Sequence, residues 1–199
     1  IVELGAVCAA MIQQGKKVSI APLEVRSGSQ WPPEIRAAAA TALGLVYAAK
    51  ITQGDDGSID PLEDLLKAAD EDIRLKAAGA LGTVYAARIR QGREISISPL
   101  EASLKGPWEA RGPAAAVLGG VYAAMIQRGK DISTEPLEAL LHDDDEDVRQ
   151  AAISSLGTAY AAKIGQGQKI SLRPLEALLD SSEYVRQFAV PALGEIYAA

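Results

Sequence analysis

The sequence is built from a repeated unit, and this feature constrains the fold more than any other. The tripeptide Pro-Leu-Glu begins at positions 22, 61, 99, 136 and 174, and a Leu-Gly pair begins at positions 4, 43, 81, 118, 156 and 193. Successive copies lie 37 to 39 residues apart. A period of this length indicates stacked supersecondary units, each of which buries its apolar face against its neighbours.

Each unit is expected to contain two helices. A Ser-x-x-Pro-Leu-Glu segment such as 133–138 predicts the start of a short helix, although it leaves open whether Ser or the residue before Pro is the N-cap. A longer second helix is predicted where Val148, Ala152 and Leu156 recur every fourth residue. Glycines 15, 54, 92, 129 and 167 then occupy the place of a left-handed C-cap.

No segment alternates with the period of a strand, so the fold class is all-α. We expect an α-solenoid of stacked antiparallel helix pairs, with about five repeats and roughly eleven helices. Residues 1–199 are expected to form a single array whose repeats span 1–18, 19–57, 58–95, 96–132, 133–170 and 171–199. The first and last of these are partial, which predicts a fragment of a longer array. Pro113 is expected to delay or bend its helix, and Pro191 to kink the last one.

Residues 145–157, with the sequence Asp-Glu-Asp-Val-Arg-Gln-Ala-Ala-Ile-Ser-Ser-Leu-Gly, resemble the HEAT-like repeat, in particular the type found in phycobilisome bilin lyases. Segments 70–82 and 183–194 repeat the pattern, and the resemblance extends over essentially the whole chain. Each unit is longer than the usual form because the second helix continues through Tyr-Ala-Ala-x-Ile-x-Gln-Gly. The resemblance implies that the repeated arginine pairs with acidic residues of an adjacent unit, and it implies no specific activity.

Composition restricts the function. The net charge of −6 and the pI of about 4.9 argue against a nucleic-acid partner, because phosphate binding requires clustered Lys and Arg. The single cysteine, Cys8, cannot form an internal disulfide, and a reducing, cytoplasmic location is expected. The longest uninterrupted apolar run, 114–126, is shorter than the ~20 residues that a membrane helix needs.

The sequence contains few residues of the types that form catalytic sites. The single histidine, His142, lies far from Cys8, and consecutive carboxylates at 143–147 cannot all converge on one ion. No catalytic, cofactor-binding or metal-binding residue is therefore predicted, and no cofactor is expected. The sequence also lacks the His-Glu pairs of HEAT-repeat di-iron hydroxylases, and its acidic balance argues against HEAT-like DNA glycosylases.

Charge is expected to separate between the two edges of the stack. The turns within repeats are acidic, and the loops between repeats are basic, with Asp55 and Asp56 as the exception. Helix dipoles alone would favour this arrangement, and a basic stripe that orients a partner can be present as well. The candidate partner-binding residues are Lys50, Arg88, Arg90, Arg128 and Lys163, together with Trp31 and Trp108 in the variable turns. The two tryptophans either fill gaps in irregular turns or contact a partner. The repeated tyrosines are expected to be core residues.

The function predicted from these observations is a non-catalytic scaffold that binds a protein or peptide along the curved face of the second helices. An acidic partner is favoured, and no membrane association is expected. Two alternatives remain: a bilin lyase or other chromophore-handling subunit, and a structural spacer within a larger protein. The oligomeric state is left open.

Overall fold

The computed structural model describes residues 1–55 and 57–198, and within them the chain forms eleven α-helices and no strand. Asp56, one of the acidic exceptions on the basic edge, and Ala199 lie outside the described residues. The long helices are α1 (Val2–Gln13), α3 (Pro33–Thr52), α5 (Glu71–Arg90), α7 (Trp108–Gln127), α9 (Glu146–Gly165) and α11 (Glu183–Ala198). The short helices are α2 (Ala21–Ser27), α4 (Asp60–Leu65), α6 (Ser98–Ser103), α8 (Glu135–Glu138) and α10 (Arg173–Glu176).

The helices group into two compact units, Ile1–Leu100 and Glu101–Ala199. In the first unit α1 packs on α3 and α3 on α5, with α2 and α4 against these long helices. In the second unit α7 packs on α9 and α9 on α11, with α8 and α10 against them. The predicted fold class is confirmed: the fold is all-α, and helix pairs stack on their neighbours as in an α-solenoid.

Neither of the two predicted residues is the N-cap of the short helices. The N-cap lies between them, one residue after Ser and one residue before the residue that precedes Pro. The N-caps are Ile20, Ile59, Thr134 and Leu172, each two residues before Pro, and none of them makes a side-chain capping hydrogen bond. The preceding serine contributes instead, since Ser58 Oγ accepts a hydrogen bond from the Asp60 amide at 3.1 Å. The serine of the Ser-x-x-Pro-Leu-Glu motif lies just outside the helix and accepts a hydrogen bond from a first-turn amide that has no partner within the helix.

Glycine ends the long helices as predicted. Gly15 has a φ of 75°, its amide donates to the Ile12 carbonyl at 2.8 Å, and the Lys16 amide donates to the Met11 carbonyl at 3.0 Å. This pair of hydrogen bonds is the Schellman motif. The glycines at 54, 92, 129 and 167 also have positive φ values.

The Leu-Gly pair allows neighbouring long helices to approach closely. A Cβ atom on Gly44 would lie 2.7 Å from the Cβ of Ala80, and one on Gly157 would lie 2.9 Å from the Cβ of Ala192. The leucines before Gly44 and Gly157 are fully buried. The pair thus combines an apolar side chain in the core with a backbone surface on which the next helix rests.

Proline does not delay the helix in the third repeat. Helix α7 begins at Trp108, has the same length as α3, α5 and α9, and continues through Pro113. Helix α11 likewise continues through Pro191. The expectation of a late start was wrong because Pro113 falls early enough in the helix for the first turn to form ahead of it.

Replacement of Gly44 by Ala should destabilise the protein by about 1–3 kcal/mol, because the new methyl group would meet the backbone of Ala80. The matched control is Gly79→Ala in α5, where a Cβ atom would meet nothing within 4 Å. That variant should be neutral, or more stable by roughly 0.5–1 kcal/mol, because alanine favours the helix. Urea denaturation followed by circular dichroism measures both changes. Equal effects of the two substitutions would contradict the close-packing role.

Candidate interaction surface

The long helices expose one side that the core does not use. In the first unit this side includes Leu45 of α3 and Leu75 and Thr83 of α5. In the second unit it includes Gly120 of α7 and Thr158 of α9. The exposed positions along the middle of these helices are mostly small or apolar, so each unit presents a face that an extended or helical segment could approach closely.

A groove of about 210 Å³ lies on this face in the first unit, between α3 and α5. Its lining includes Gly44 and Ala80, the two residues that bring the helices together. Leu45 and Leu75 line it as well, and they are 38% and 47% exposed. Large apolar side chains exposed beside a groove are a usual feature of binding surfaces.

The basic candidates of the first unit converge on the loop that follows α3. Lys50 forms an ion pair with Asp55, with 3.0 Å between Nζ and Oδ2. Arg88 donates from Nη2 to the Gly57 carbonyl at 3.2 Å, and Arg93 donates to the Gly54 carbonyl at 2.9 Å. The structure therefore gives these side chains a local role in holding the loop, while their charge stays at one end of the helices.

The candidate residues do not all share one helical position. Lys50, Arg88 and Lys163 each follow the repeated tyrosine by three residues, and all three are partly exposed. The third repeat has Met125 at this position, whereas Arg90 is the last residue of α5, Arg128 directly follows α7, and both are exposed. The basic character therefore belongs to the helix ends as a group and not to one row of side chains.

The two tryptophans differ in their surroundings. The Trp31 ring lies under the Arg26 guanidinium, 5.5 Å from its carbon atom, and the indole Nε1 is buried without a hydrogen-bond partner. Trp108 is the first residue of α7 and is 47% exposed. Trp31 thus contributes to the packing of its turn, and Trp108 offers an aromatic surface to solvent.

Each repeated tyrosine donates a hydrogen bond to the glutamate of Pro-Leu-Glu in the short helix before it. The hydroxyl groups of Tyr122 and Tyr160 lie 2.8 Å from Oε1 of Glu101 and Glu138, respectively. The same bond joins Tyr47 to Glu24, Tyr85 to Glu63 and Tyr197 to Glu176. The first four tyrosines are buried, as predicted, and the hydrogen bond was not foreseen. A signal exists in the sequence, because the glutamate and the tyrosine recur together at separations of 21 to 23 residues.

The repeated arginine fastens the turn within its own repeat. Arg74 donates from Nη1 to the carbonyls of Ala68 and Ala69 at 2.7 Å. Arg111 does the same for Gly106 and also forms an ion pair with Asp143 of the next repeat, with 2.8 Å between Nε and Oδ2. The pairing implied by the family resemblance is therefore present at Arg111.

Arg111 and its partner also explain part of the acidic run at 143–147. Burial is the largest single influence on Asp143 and opposes its ionisation, but the hydrogen bonds from Arg111 and from the Asp145 amide, together with the charges of Arg111 and Arg149, outweigh it and hold the pKa of Asp143 below its usual value. Asp145 is the N-cap of α9, and its side chain accepts a hydrogen bond from the Val148 amide at 3.0 Å. Within residues 1–55 and 57–198, no group of three or more His, Cys, Asp or Glu side chains is arranged to hold a metal ion.

Comparison with known proteins shows which protein family the second half of the chain matches. The family model for HEAT repeats matches residues 97–194. This segment consists of HEAT repeats. It contains the Leu-Gly contacts and tyrosine–glutamate bonds described above, and residues 1–96 contain the same features. The predicted resemblance to HEAT-like repeats is confirmed, and the finer resemblance to bilin-lyase repeats stays a prediction.

Solved structures extend the similarity in fold beyond the HEAT-repeat segment. A designed armadillo repeat protein aligns with a TM-score of 0.56 at 23% identity, over 95% of this chain and 85% of its own. An engineered protein known from a crystal structure aligns with a TM-score of 0.55 at 20% identity, over 99% of this chain and 90% of its own. At these identities the likeness concerns the fold alone. The search of curated proteins found no match.

One helix of the described residues is long and apolar enough to cross a membrane by length and composition. It is α3, whose most apolar window has a mean hydropathy of 1.2. The count of uninterrupted apolar residues overlooked it because Arg36, Thr41 and Lys50 interrupt the run, whereas a mean over a window tolerates them. In the structure 56% of this window is buried, and α3 packs against α1, α2 and α5. A core helix meets the same criteria, so α3 is weak evidence for a membrane span.

Replacement of Tyr122 by Phe should destabilise the protein by about 1–2 kcal/mol, because a buried hydroxyl bonded to a carboxylate is lost without a change in ring packing. Tyr197→Phe is the control, since Tyr197 makes the same bond but is 69% exposed. Its effect on the free energy of unfolding should be much smaller. Chemical denaturation of both variants measures the difference, and equal effects would show that burial does not set the value of the bond.

The buried tyrosines should also make stability fall at alkaline pH. Burial, together with the neighbouring glutamates, raises the pKa of Tyr47, Tyr85, Tyr122 and Tyr160 well above the ordinary value of 10.0. The folded state keeps their protons while the unfolded state loses them, so stability is constant below pH ~10 and declines above it by roughly 1.4 kcal/mol per pH unit for each tyrosine.

Urea midpoints measured between neutral and strongly alkaline pH would give this slope. A variant with both Tyr122→Phe and Tyr160→Phe should show about half of it, since two of the four titrating groups are then absent. The expectation would be contradicted if the phenolate absorbance of these four tyrosines developed near pH 10, at the ordinary tyrosine pKa, while the protein was still fully helical.

Proposed function

We propose that the chain is a non-catalytic scaffold that binds a protein or peptide along the exposed side of its long helices. The observation that carries this proposal is the groove between α3 and α5, which is lined by the exposed leucines Leu45 and Leu75. An apolar side chain of the partner would lie in the groove and cover Leu45 and Leu75. Burial of such side chains supplies most of the affinity in helix-face recognition.

The basic helix ends favour a partner with acidic residues. Lys50, Arg88, Arg90, Arg128 and Lys163 all lie in or just beyond the last turns of long helices, where positive charge also complements the helix dipole. A partner with acidic residues beside its apolar anchor would be attracted to these ends. Electrostatic complementarity of this kind mainly affects the association rate and the choice of partner. Trp108, which is half-exposed, is the aromatic contact proposed for the second unit.

A charge-reversal variant tests the basic helix ends. It leaves Lys50 and Arg88 unchanged, because Lys50 pairs with Asp55 and Arg88 donates to the Gly57 carbonyl, so that both hold the loop after α3. The substitutions to Glu are at Arg90, Arg128 and Lys163. The probe is a fluorescein-labelled peptide of alternating Glu and Leu, followed by anisotropy. Affinity should fall about tenfold or more at low salt, and less at high salt because exposed charges are screened.

The matched control reverses three basic residues that lie away from these helix ends and outside the groove, so that the change in net charge is the same. Its substitutions to Glu are at Lys67, Lys105 and Arg186, all of which are exposed. Equal loss of binding in the two variants would mean that only net charge matters, and equal retention would mean that the helix ends do not bind. Either result contradicts the assignment.

The chromophore-handling alternative has its own test. The chain can be produced in cells that supply a bilin and then purified by gel filtration. Visible absorbance that stays with the protein through purification would replace the scaffold proposal with a bilin-binding one.

A further inference from the structure

The groove between α3 and α5 offers few hydrogen-bond partners to an incoming segment. The hydroxyl of Thr41 donates to the Ala37 carbonyl at 3.3 Å, and the hydroxyl of Thr83 donates to the Gly79 carbonyl at 3.1 Å. Every lining residue belongs to one of the two helices, whose backbone amides and carbonyls are bonded along the helix. The floor of the groove is therefore almost without donors or acceptors for the backbone of a ligand.

This lining favours a helical occupant. An extended peptide would bury unpaired amides and carbonyls on the floor of the groove, at a cost in free energy for each group, whereas an α-helix pairs them internally. Gly44, Gly79 and Ala80 carry little or no side chain, and a Cβ atom on Gly79 would meet nothing within 4 Å. Small residues let another helix approach closely, and the exposed Leu45 and Leu75 beside them supply apolar surface for it.

The helices α3 and α5 run in the same direction. Gly44 contacts Ala80 near the middle of the pair, and the loops that follow the two helices meet where Arg93 donates to the Gly54 carbonyl at 2.9 Å. Because both carboxyl ends lie side by side, the charges of the two helices add at each end of the groove. The acidic residues of the first turns are Glu34, Glu71 and Asp72, and the basic residues of the last turns are Lys50, Arg88 and Arg90.

These charges reach the solvent on either side of the groove. Asp72 pairs with Lys76 across 3.5 Å, but the two side chains are 59% and 46% exposed, so water screens the pair. Glu34 and Glu71 at the acidic end, and Arg90 at the basic end, are exposed as well. A ligand that lies along the groove would therefore experience fields of opposite sign at its two ends.

We propose that the groove binds an amphipathic α-helix of a partner protein, antiparallel to α3 and α5. The proposal rests on the proposed function and specifies its ligand. Apolar side chains of the bound helix would cover Leu45 and Leu75, its acidic first turn would lie near Arg90, and its basic last turn would lie near Glu34. In this orientation its macrodipole also opposes those of α3 and α5, which is the favourable arrangement. A helix of about 18 residues would span the pair, since α3 and α5 have 20 residues each.

Two lactam-bridged helical peptides of about 18 residues test the orientation. The first has Glu in its first turn and Lys in its last turn, and the second exchanges these charges, so that the leucines and the net charge are the same. Each carries a nitroxide spin label at its N-terminus, and the ¹⁵N-labelled chain is observed by NMR. The label on the first peptide should broaden the amide signals of residues 48–54 and 87–92. The first peptide should also bind about fivefold more tightly than the second at low salt.

A charge-reversed chain removes any effect of peptide helicity, because each peptide is then compared with itself. The double variant Glu34→Lys and Glu71→Lys should weaken binding of the first peptide about fivefold and strengthen binding of the second. The matched control, Glu135→Lys and Asp144→Lys, makes the same change in net charge at exposed positions of the second unit. It should bind both peptides as the original chain does.

The outcomes separate this proposal from the one on which it rests. Equal affinity of the two peptides, or a label on the first peptide that broadens residues 33–36 and 71–74 instead, would overturn the antiparallel helix and leave the scaffold proposal intact. Binding of the peptide of alternating Glu and Leu in the groove, without binding of either helical peptide, would do the same. If none of the three peptides shifts the signals of the groove residues, both proposals fail.

Discussion

The close approach of successive long helices is the constraint on which the rest of the structure depends. The glycine of the Leu-Gly pair lets the backbone of one helix rest on a small residue of the next, as Gly44 does on Ala80 and Gly157 on Ala192. Short helix-to-helix distances leave no room for large side chains at that contact, so the apolar residues gather on either side of it. The spacing of the repeat is thereby fixed, since one residue of slippage would bring a larger side chain into the contact.

Polar contacts then hold the two helices of each repeat, and the turn between them, in the arrangement that this packing allows. The tyrosine–glutamate bonds join the two helices of a repeat, and the turn arginine holds the segment between them. Both place a polar group in a buried setting where it has a partner, so they add to specificity as well as to stability. The charge separation between the edges has the same origin. Asp70 and Asp145 are N-caps, while Lys50 and Arg88 hold the loop after α3, so much of what resembles a binding pattern is structural.

The sequence was sufficient to predict the helices, the C-capping glycines and the buried tyrosines, because periodicity and backbone preference are local properties. It was insufficient for features that depend on distance between elements. The position of the short-helix N-cap, two residues before Pro, required the path of the loop. The bond from Tyr122 to Glu101 required knowledge of how the two helices face each other.

This contrast between constant and variable positions decides where function is to be sought. Residues that recur in every repeat already have a structural role: the glycine in packing, the tyrosine and glutamate in joining helices, the arginine in holding a turn. Recognition of one partner requires chemistry that the repeats do not share. Leu45, Leu75 and Trp108 are exposed, and the equivalent positions of the other repeats carry other residue types. A repeat protein can acquire such residues without loss of its fold, since each neighbouring unit remains supported by the constant positions.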